Sequence, residues 1–431
     1  MLNRMKLFFK RSFVRDVITV ASGAASMHVI TIACAPIVTR LYGPEVIGIL
    51  GAFTSFFIVI SPMAALSYPM AQVLPKDDHK AFEIVRLSVS LTIILASFIG
   101  LFIFIGGNWL VDFIDIPVIT DYLYFIPFCV LFSGWVDISQ QWIIRKRLFL
   151  ITAKMSAVQS LVVNSAKIIV GLHYPTAWSL VAITTIGYLL HAIMLGVASF
   201  SSIKQNFNIK KTNLLLLANE YKDFPLYRTP QIVINAMSQS LPVLMLVTLF
   251  SSSAAGYYVV GRMVMGLPAT LIAKSVGDAL YPKITEASNQ GKDIVPFIKK
   301  ATIGLAIAGL IPCFFMVFLG PWFFDFVFGP GWSVAGEYAR WLTFFYFFNF
   351  INKPCVAAVP VLRIQKGLLF YELFSTAIKV MALLLGYYYF HNDIVAVALF
   401  SIAGAMMYIA MMIWIINEAN KLGSKCEKTS Q

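Results

Sequence analysis

Long apolar runs separated by short polar breaks recur along the whole chain. Six of them lie in the first half, at 17–39, 47–69, 87–107, 122–142, 155–174 and 177–199. Six more follow a longer polar break, at 226–250, 255–275, 301–319, 337–361, 367–390 and 394–416. Each run is close to the ~20 residues that an α-helix needs to cross a hydrocarbon core of ~30 Å. The pattern therefore predicts an all-α polytopic membrane protein with about twelve transmembrane helices.

The composition excludes a soluble enzyme. Of the 431 residues, 59% are apolar and only 12% are charged, whereas a soluble domain has about 25% charged residues. A water-soluble protein of this size needs far more polar side chains to cover its surface. A membrane protein with short connections between its helices fits the same numbers.

The net charge of +13 indicates the orientation of the chain in the membrane rather than nucleic-acid binding. If the N-terminus is cytoplasmic, the connections on that side and the two termini hold 27 of the 33 Lys and Arg residues. Only Arg40 and Arg340 fall at the opposite face. Because cytoplasmic loops carry an excess of basic residues, we expect an even number of crossings with both termini in the cytoplasm.

Short motifs repeat at an offset of about 210 residues. The pattern G-x-W-x-x-D-F occurs at 107–113 and again at 320–326, and Leu74-Pro75-Lys76 matches Tyr281-Pro282-Lys283. Tyr42 and Gly48 match Phe250 and Gly256 in the same order. The matched pairs lie on the same predicted membrane side, so the repeat is parallel. Two such halves around a central cavity are typical of transporters.

The repeat predicts two pseudo-symmetric lobes of six helices each. We expect residues 1–200 to form the N-terminal lobe and 225–417 the C-terminal lobe. A cytoplasmic linker at 201–224 joins them, and 418–431 form a cytoplasmic tail.

Four basic residues lie inside predicted spans: Lys167, Arg262, Lys353 and Lys379. An ionisable group in hydrocarbon costs at least ~2.5 kcal/mol, so it should face a cavity or a partner. Polar residues accompany them in the same or neighbouring spans: Asn164, Asn235, Gln239, Asn349 and Asn352. If these groups line one cavity, its field is positive and suits a phosphate or pyrophosphate group, which Arg binds well.

Other interpretations of these polar residues stay open. Lys167 lies near the end of its span and could extend its ammonium group to the interface. Glu372 and Lys379 could pair within their own helix, and Asp137 with Gln140 and Gln141 could join neighbouring helices. Asp137 and Glu372 are also candidates for ion coupling, because a carboxylate inside the membrane can exchange protons.

Motifs of other chemistry are scarce. The five histidines have no metal-ligand spacing, and the chain has no G-x-x-x-x-G-K-[ST] loop for ATP. We therefore predict no metal, no cofactor and no ATPase activity. Asp77-Asp78 suggests the carboxylates of a glycosyltransferase, but no region around it could bind a nucleotide sugar, so we expect a solvated loop.

Several motifs resemble those of a known family of polysaccharide transporters. Thr39-Arg40-Leu41-Tyr42-Gly43-Pro44-Glu45, followed by Gly48, is similar to the signature of this family. The same holds for 74–78, the basic turn Arg145-Lys146-Arg147, the segment 221–227, and Gly256-Tyr257-Tyr258. Together they resemble the O-antigen and capsule repeat-unit flippases of the Wzx type. These belong to the multidrug/oligosaccharidyl-lipid/polysaccharide exporter superfamily, as do the multidrug and toxin extruders and the lipid II flippases.

The resemblance implies a bacterial inner-membrane flippase for undecaprenyl-pyrophosphate-linked oligosaccharides in surface polysaccharide (lipopolysaccharide O-antigen or capsule) biosynthesis. It implies the membrane lipid, a polysaccharide polymerase and a chain-length regulator as partners, and alternating access as mechanism. A multidrug extruder of the same superfamily is an alternative, although a cationic cavity suits cationic drugs poorly. A membrane-embedded polymerase or ligase is a further alternative, but those enzymes tend to carry a large outer loop that is missing here.

Overall fold

The computed structural model describes residues 2–114, 117–203, 214–290, 293–362 and 364–429, and every regular element in these ranges is a helix. The first eight α-helices are α1 (Leu2–Ile60), α2 (Tyr68–Ala71), α3 (Asp78–Ile114), α4 (Ile126–Arg145), α5 (Phe149–Gly171), α6 (Ala177–Ile203), α7 (Leu214–Glu220) and α8 (Thr229–Leu249). The remaining six are α9 (Ser252–Asn289), α10 (Val295–Phe328), α11 (Ser333–Ile351), α12 (Lys353–Leu362), α13 (Gln365–Leu385) and α14 (Asp393–Thr429). Short 3₁₀ turns at Ser61–Met63 and Pro117–Phe125 and π turns at Phe224–Arg228 and Gly386–Phe390 extend several of them.

Each of the twelve apolar runs falls on helical structure, which confirms the predicted all-α membrane fold. Within the described residues, nine stretches are long and apolar enough to cross a membrane. One of them, at 26–63, overlaps both of the first two predicted spans, and α5 and α9 overlap the fifth and eighth. The helices are thus consistent with twelve crossings.

The first two spans are separated by a break at Gly43 inside α1. Gly43 has φ 70° and ψ 174°, which interrupts the helical backbone, and Pro44 follows it. A positive φ is accessible to glycine at no steric cost, and Pro is well suited to start the next helical segment. The Gly-Pro pair of the family-like signature therefore forms the turn between two transmembrane helices.

The chain divides into two compact units, residues 1–248 and 249–431. In the first unit α3 packs against α4, α4 against α6, and α5 against both α1 and α6. In the second unit α10 packs against α11, α11 against α14, and α13 against α14. In the first unit α3, α4, α5 and α6 correspond to predicted spans 3 to 6, and in the second unit α10, α11, α13 and α14 correspond to spans 9 to 12. The packed pairs 3–4, 4–6 and 5–6 therefore recur six spans later as 9–10, 10–12 and 11–12. This agrees with the parallel repeat seen in the sequence.

Small residues allow very close packing in the second unit. A Cβ atom added to Gly336 of α11 would lie 2.4 Å from Cα of Pro321 and 2.6 Å from the carbonyl oxygen of Gly320, both in α10. No other residue type fits there without a shift of the backbone. Gly320 and Pro321 begin the second copy of the repeated motif, whereas the side chains at 108–113 of the first copy lie outside the described part.

The segment predicted as a linker is docked onto the first unit. Residues 204–213 lie outside the described residues, but α7 follows, and Leu217 is buried with Ala71 and Ile84. Nζ of Lys80 lies 2.5 Å from a carboxylate oxygen of Glu220, and Oη of Tyr68 donates to the carbonyl of Ala218 at 3.0 Å.

The unit boundary differs from the expected lobe boundary. Helix α8, which corresponds to the seventh predicted span, falls in the first unit apart from its last residue. Its first residue, Thr229, donates a hydrogen bond of 2.9 Å to Oγ of Ser67. The lobes at 1–200 and 225–417, which rest on the repeat, and the tail at 418–431 stay predictions.

Candidate functional site

Arg262 of α9 lies half-buried among the tyrosines of the second unit. Its guanidinium is within hydrogen-bonding reach of the Tyr346 hydroxyl on α11, and Tyr258, one turn earlier on α9, is buried beside it. Two hydroxyl groups and a charged fork therefore meet inside a membrane-spanning unit. Such a site offers several hydrogen-bond donors to an anion.

The tyrosine cluster continues onto α14 through Tyr408. Nδ2 of Asn349 donates to the Tyr408 hydroxyl, and the Tyr408 and Phe345 rings lie 5.3 Å apart. Tyr408 also interacts electrostatically with Tyr346 and Glu372. Asn349, predicted to line a cavity, thus lies beside the tyrosine cluster.

Lys379 of α13 places its ammonium group over an aromatic ring. Its Nζ is 5.8 Å from the centre of the Phe345 ring, and its aliphatic stem packs near Gly404. A cation over an aromatic face gains about 0.5–2 kcal/mol, more when water is excluded. This contact stabilises a positive charge inside the unit.

Glu372 interacts with two of the four predicted intramembrane cations. It lies on α13 two turns before Lys379 and attracts both Lys379 and Lys353 electrostatically. The surface of Glu372 is exposed and both lysines are half-buried. The expected pairing of Glu372 and Lys379 therefore exists as part of a larger group that also includes Lys353.

Lys353 lies at the point where the helix of the tenth predicted span is interrupted. Asn352 separates α11 from α12, and Lys353 is the first residue of α12, followed by Pro354. Asn352 is 1% exposed and donates from Nδ2 to Sδ of Met411 at 3.2 Å. Its Oδ1 atom has no hydrogen-bond partner among the described residues. Three of the four predicted cations, Arg262, Lys353 and Lys379, thus occur in one unit, and Glu372 interacts with two of them.

The fourth cation and its polar stripe lie in the other unit and are bound to neighbouring helices. Asn164 is buried and donates from Nδ2 to the carbonyl of Ser160 at 2.8 Å and to Oγ1 of Thr31 on α1 at 3.5 Å. Oγ of Ser160 donates to the carbonyl of Met27 at 3.2 Å. These residues join α5 to α1, which is the role that polar side chains often have between membrane helices. Lys167 lies half-buried on α5, and its carbonyl accepts a hydrogen bond from Tyr42.

The remaining predicted residues lie on exposed helix surfaces of the first unit. Nε2 of Gln239 donates to Oδ1 of Asn235 one turn earlier on α8, at 2.8 Å, and both residues are exposed. Asp137 is an exposed residue of α4 and interacts electrostatically with Tyr188 of α6. The structure does not bring these three residues into the cluster of the second unit.

Sequence reasoning missed the aromatic part of the cluster. Phe345, Tyr346 and Tyr408 connect Arg262 to Lys379, but in the sequence the first two belong to an aromatic run at 344–350 that is typical of any apolar span. The available signal is the tyrosine within this run, because a buried phenol needs a hydrogen-bond partner.

A second charged group lies at one end of the first unit, where α4 ends. Asp78 pairs with Arg145 at 2.9 Å and with Lys146 at 2.5 Å. Arg145 also donates from Nη1 to the carbonyls of Gln72 and Pro75 at 2.8 and 2.7 Å. The side chain of Asp78 is 45% exposed, and its two basic partners are 67 and 68 residues away in sequence.

The described residues contain no group of three His, Cys, Asp or Glu side chains that could hold a metal ion. Both charged groups consist of ion pairs and hydrogen-bond donors. Arg262, Lys353 and Lys379 could bind an anion, and Glu372 could exchange a proton or balance their charge.

The fold and the cluster define a polytopic membrane protein that keeps a net-positive group inside one of its helical units. The family described as polysaccharide biosynthesis protein matches residues 37–337. The chain belongs to this family, which confirms the resemblance seen in its motifs. None of the curated protein sequences compared with it matches.

Solved structures with the same fold are transporters and a flippase. A multidrug resistance MATE family transporter of the MOP superfamily, in its inward-facing conformation, has a TM-score of 0.71 and 13% identity over 96% of this chain and 100% of its own. The lipid II flippase MurJ in an inward closed conformation also has a TM-score of 0.71, with 12% identity over 95% of this chain and 90% of its own.

A third structure is a MOP superfamily transporter from Pyrococcus furiosus, whose description states that the reverse polarity of its binding pocket suggests a different function. It has a TM-score of 0.64 and 12% identity and covers 96% of both chains. These likenesses show that the chain has the fold of MOP superfamily transporters and of a lipid II flippase.

Proposed function

We propose that this protein is a flippase that moves undecaprenyl-pyrophosphate-linked oligosaccharide repeat units across the bacterial inner membrane for surface polysaccharide biosynthesis. The observation that carries the proposal is the pair of Lys353 and Lys379 beside Glu372, which Tyr408 and Tyr346 connect to Arg262 within one membrane-spanning unit. Its net charge is positive, and membership of the polysaccharide biosynthesis family supplies a matching anionic cargo.

The pyrophosphate is the part of the cargo that these side chains would bind. Arg262 presents a planar fork that can donate two hydrogen bonds to one phosphate, and Tyr346 keeps it oriented. Lys353 and Lys379 act as point charges. Without cargo their charge is balanced in part by Glu372, so an arriving phosphate competes with that carboxylate for the lysines.

The direction of transport and the coupling follow from the predicted topology. Both termini are taken as cytoplasmic, and the substrate enters from the cytoplasmic side while its lipid tail stays in the bilayer. Alternating access then exposes the sugars to the periplasm. Glu372 is the better placed of the two candidate coupling residues, because it contacts the charged cluster while Asp137 lies in the other unit.

The positive cluster disfavours the alternative of a multidrug extruder for cationic compounds. Three basic side chains and one acidic side chain have a net positive charge, which would repel a cation in a medium of low dielectric constant. The likeness to the MATE transporter therefore shows a shared fold, and the charge of the cluster separates the cargo classes.

The test combines a double variant with lipid analysis. Arg262→Gln with Lys353→Gln replaces both residues by a shorter polar side chain and removes two charges. In the native host, or in a flippase-deficient host that makes the same repeat unit, we expect surface polysaccharide to fall at least tenfold and complete lipid-linked repeat units to accumulate on the cytoplasmic side.

The matched control is Lys366→Gln, because Lys366 is an exposed lysine in the first turn of α13. Both proteins should reach the membrane in equal amounts. Normal surface polysaccharide in the double variant would refute the charge-binding role. Export of single, unpolymerised units after deletion of the gene would instead favour a polymerase.

A further inference from the structure

An open pocket of about 530 Å³ lies at the end of the first unit where α4 meets α5. Its lining combines three basic residues and one acidic residue with apolar ones: Val73, Asp78, Ile144, Arg145, Lys146, Arg147 and Phe149. The charge pattern assigns this end to the cytoplasmic membrane surface. The pocket lies in the first unit, and the cluster around Arg262 lies in the second.

The backbone of the pocket places an arginine where glycine is normally found. Helix α4 ends in a Schellman motif, in which the N–H of Leu148 bonds to the carbonyl of Ile143 and the N–H of Arg147 to that of Ile144, both at 3.0 Å. The residue at the left-handed position of this motif is usually Gly. Here it is Arg147, with φ 56°. A residue other than Gly rarely adopts this conformation, so the outlier motivates a hypothesis about the function of the arginine side chain.

The three basic residues differ in how many of their donors are occupied. The guanidinium of Arg145 pairs with Asp78 and donates hydrogen bonds to backbone carbonyls, so it stabilises the wall of the pocket. Lys146 shares Asp78 and lies 5.4 Å from the centre of the Trp142 ring. Arg147 is exposed, and its side chain makes no ion pair with any residue in the described ranges. The pocket therefore has two positive charges in excess and one free guanidinium.

Exposed apolar side chains surround this positive pocket. Val73 is 45% exposed, Leu74 62% and Leu150 55%. Large apolar groups beside basic ones at a membrane surface are suited to lipid, whose acyl chains cover the first while its phosphate meets the second. A soluble phosphate would use only the charges.

We propose that this pocket binds the phosphate of an anionic phospholipid headgroup, with Arg147 as the principal ligand. Lys146 contributes a second donor, and Arg145 positions the turn without contacting the lipid. This site concerns the bulk lipid of the membrane and goes beyond transport of the oligosaccharide, because it is occupied in the absence of that cargo.

The experiment measures lipid binding to the purified full-length protein by native mass spectrometry. The probes are dioctanoyl phosphatidylglycerol and dioctanoyl phosphatidylcholine, and inorganic phosphate serves as competitor. We expect phosphatidylglycerol to bind more tightly, and Arg147→Gly to weaken it about fivefold, the effect of one basic residue near an anionic surface. Arg147→Lys should retain most of the affinity.

Arg147→Gly is informative because glycine adopts the left-handed conformation without strain. It should raise the melting temperature while it lowers lipid affinity, so a loss of binding cannot come from unfolding. The control is His391→Gly, which relieves a similar conformation (φ 48°) in the other unit and should leave lipid affinity unchanged.

Three results would overturn the proposal. The first is equal binding of phosphatidylglycerol to Arg147→Gly and the wild type. The second is equal binding of the two lipids by the wild type. The third is displacement of phosphatidylglycerol by inorganic phosphate at an equal concentration, which would make a soluble phosphate the ligand.

Discussion

The hydroxyl of Tyr42 donates a hydrogen bond of 2.9 Å to the carbonyl oxygen of Lys167. The two residues are 125 positions apart, and the Tyr42 ring lies directly against Gly171, the last residue of α5. Tyr42, the tyrosine of the Thr-Arg-Leu-Tyr motif, thus connects the end of the first span to the end of the fifth by a hydrogen bond and a packing contact. Its role here is packing between helices, and the Gly43 turn follows at once.

Gly171→Ala should destabilise the protein. An added Cβ would lie 2.7 Å from a ring carbon of Tyr42, and overpacking of this kind costs about 1–3 kcal/mol. The control is Gly196→Ala on α6, where a Cβ meets nothing within 4 Å and helix propensity favours Ala by up to about 1 kcal/mol. Thermal unfolding in detergent should show a lower melting temperature than the wild type for Gly171→Ala only. Equal values would show that the Tyr42 ring can move aside.

Gly336→Ala tests the closest helix crossing of the second unit. The methyl group would meet backbone atoms of Gly320 and Pro321 at 2.4–2.6 Å, so α10 and α11 must separate. We expect a loss of at least about 2 kcal/mol, at the upper end for overpacking, together with low yield. Gly304→Ala on α10, which meets nothing within 4 Å, should express like the wild type. A normal yield of Gly336→Ala would show that the two helices are less tightly packed.

The docking of α7 depends on apolar burial more than on its ion pair. Lys80 and Glu220 are 43% and 47% exposed, and an exposed pair of this kind contributes about 0–1 kcal/mol. Leu217 is 4% exposed, and truncation of a buried leucine costs about 2–5 kcal/mol. Leu217→Ala should therefore speed proteolytic cleavage within 201–224 much more than Glu220→Gln does. The reverse order would make the ion pair the main contact.

Lys379→Met separates charge from packing in the cluster. Methionine keeps the contacts of the aliphatic stem with Phe345 and Gly404 but removes the cation. We expect the free energy of unfolding to change by less than about 2 kcal/mol, the upper value of a cation–π contact, while surface polysaccharide falls severalfold. Surface polysaccharide at wild-type level would remove Lys379 from the proposed binding group.

The sequence predicted the helices well because each one depends on its own apolar composition. Whether a polar side chain faces a cavity or a neighbouring helix depends instead on packing between helices, which periodicity does not contain. Asn164 and Lys353 both looked like cavity residues. The structure places Asn164 between α5 and α1 and Lys353 at a helix break near Glu372.

Long-range pairing was equally invisible in the sequence. Asp78 lies in a short polar connection, and its partners Arg145 and Lys146 follow only after two further spans. Likewise the hydroxyl of Tyr346 in an aromatic run gives no indication that Arg262 is beside it. Local patterns identify the charged residues, and only the fold shows which of them meet.

The contacts of Arg145 also set an order of events during biogenesis. Its acceptors in the 72–78 connection are made 67–73 residues earlier in the chain. At a synthesis rate of about 5–20 residues per second, this delay is roughly 4–14 s. During that time the carbonyls of the nascent connection and Asp78 are without their final partner, so this end of the unit cannot close before the end of α4 has been made.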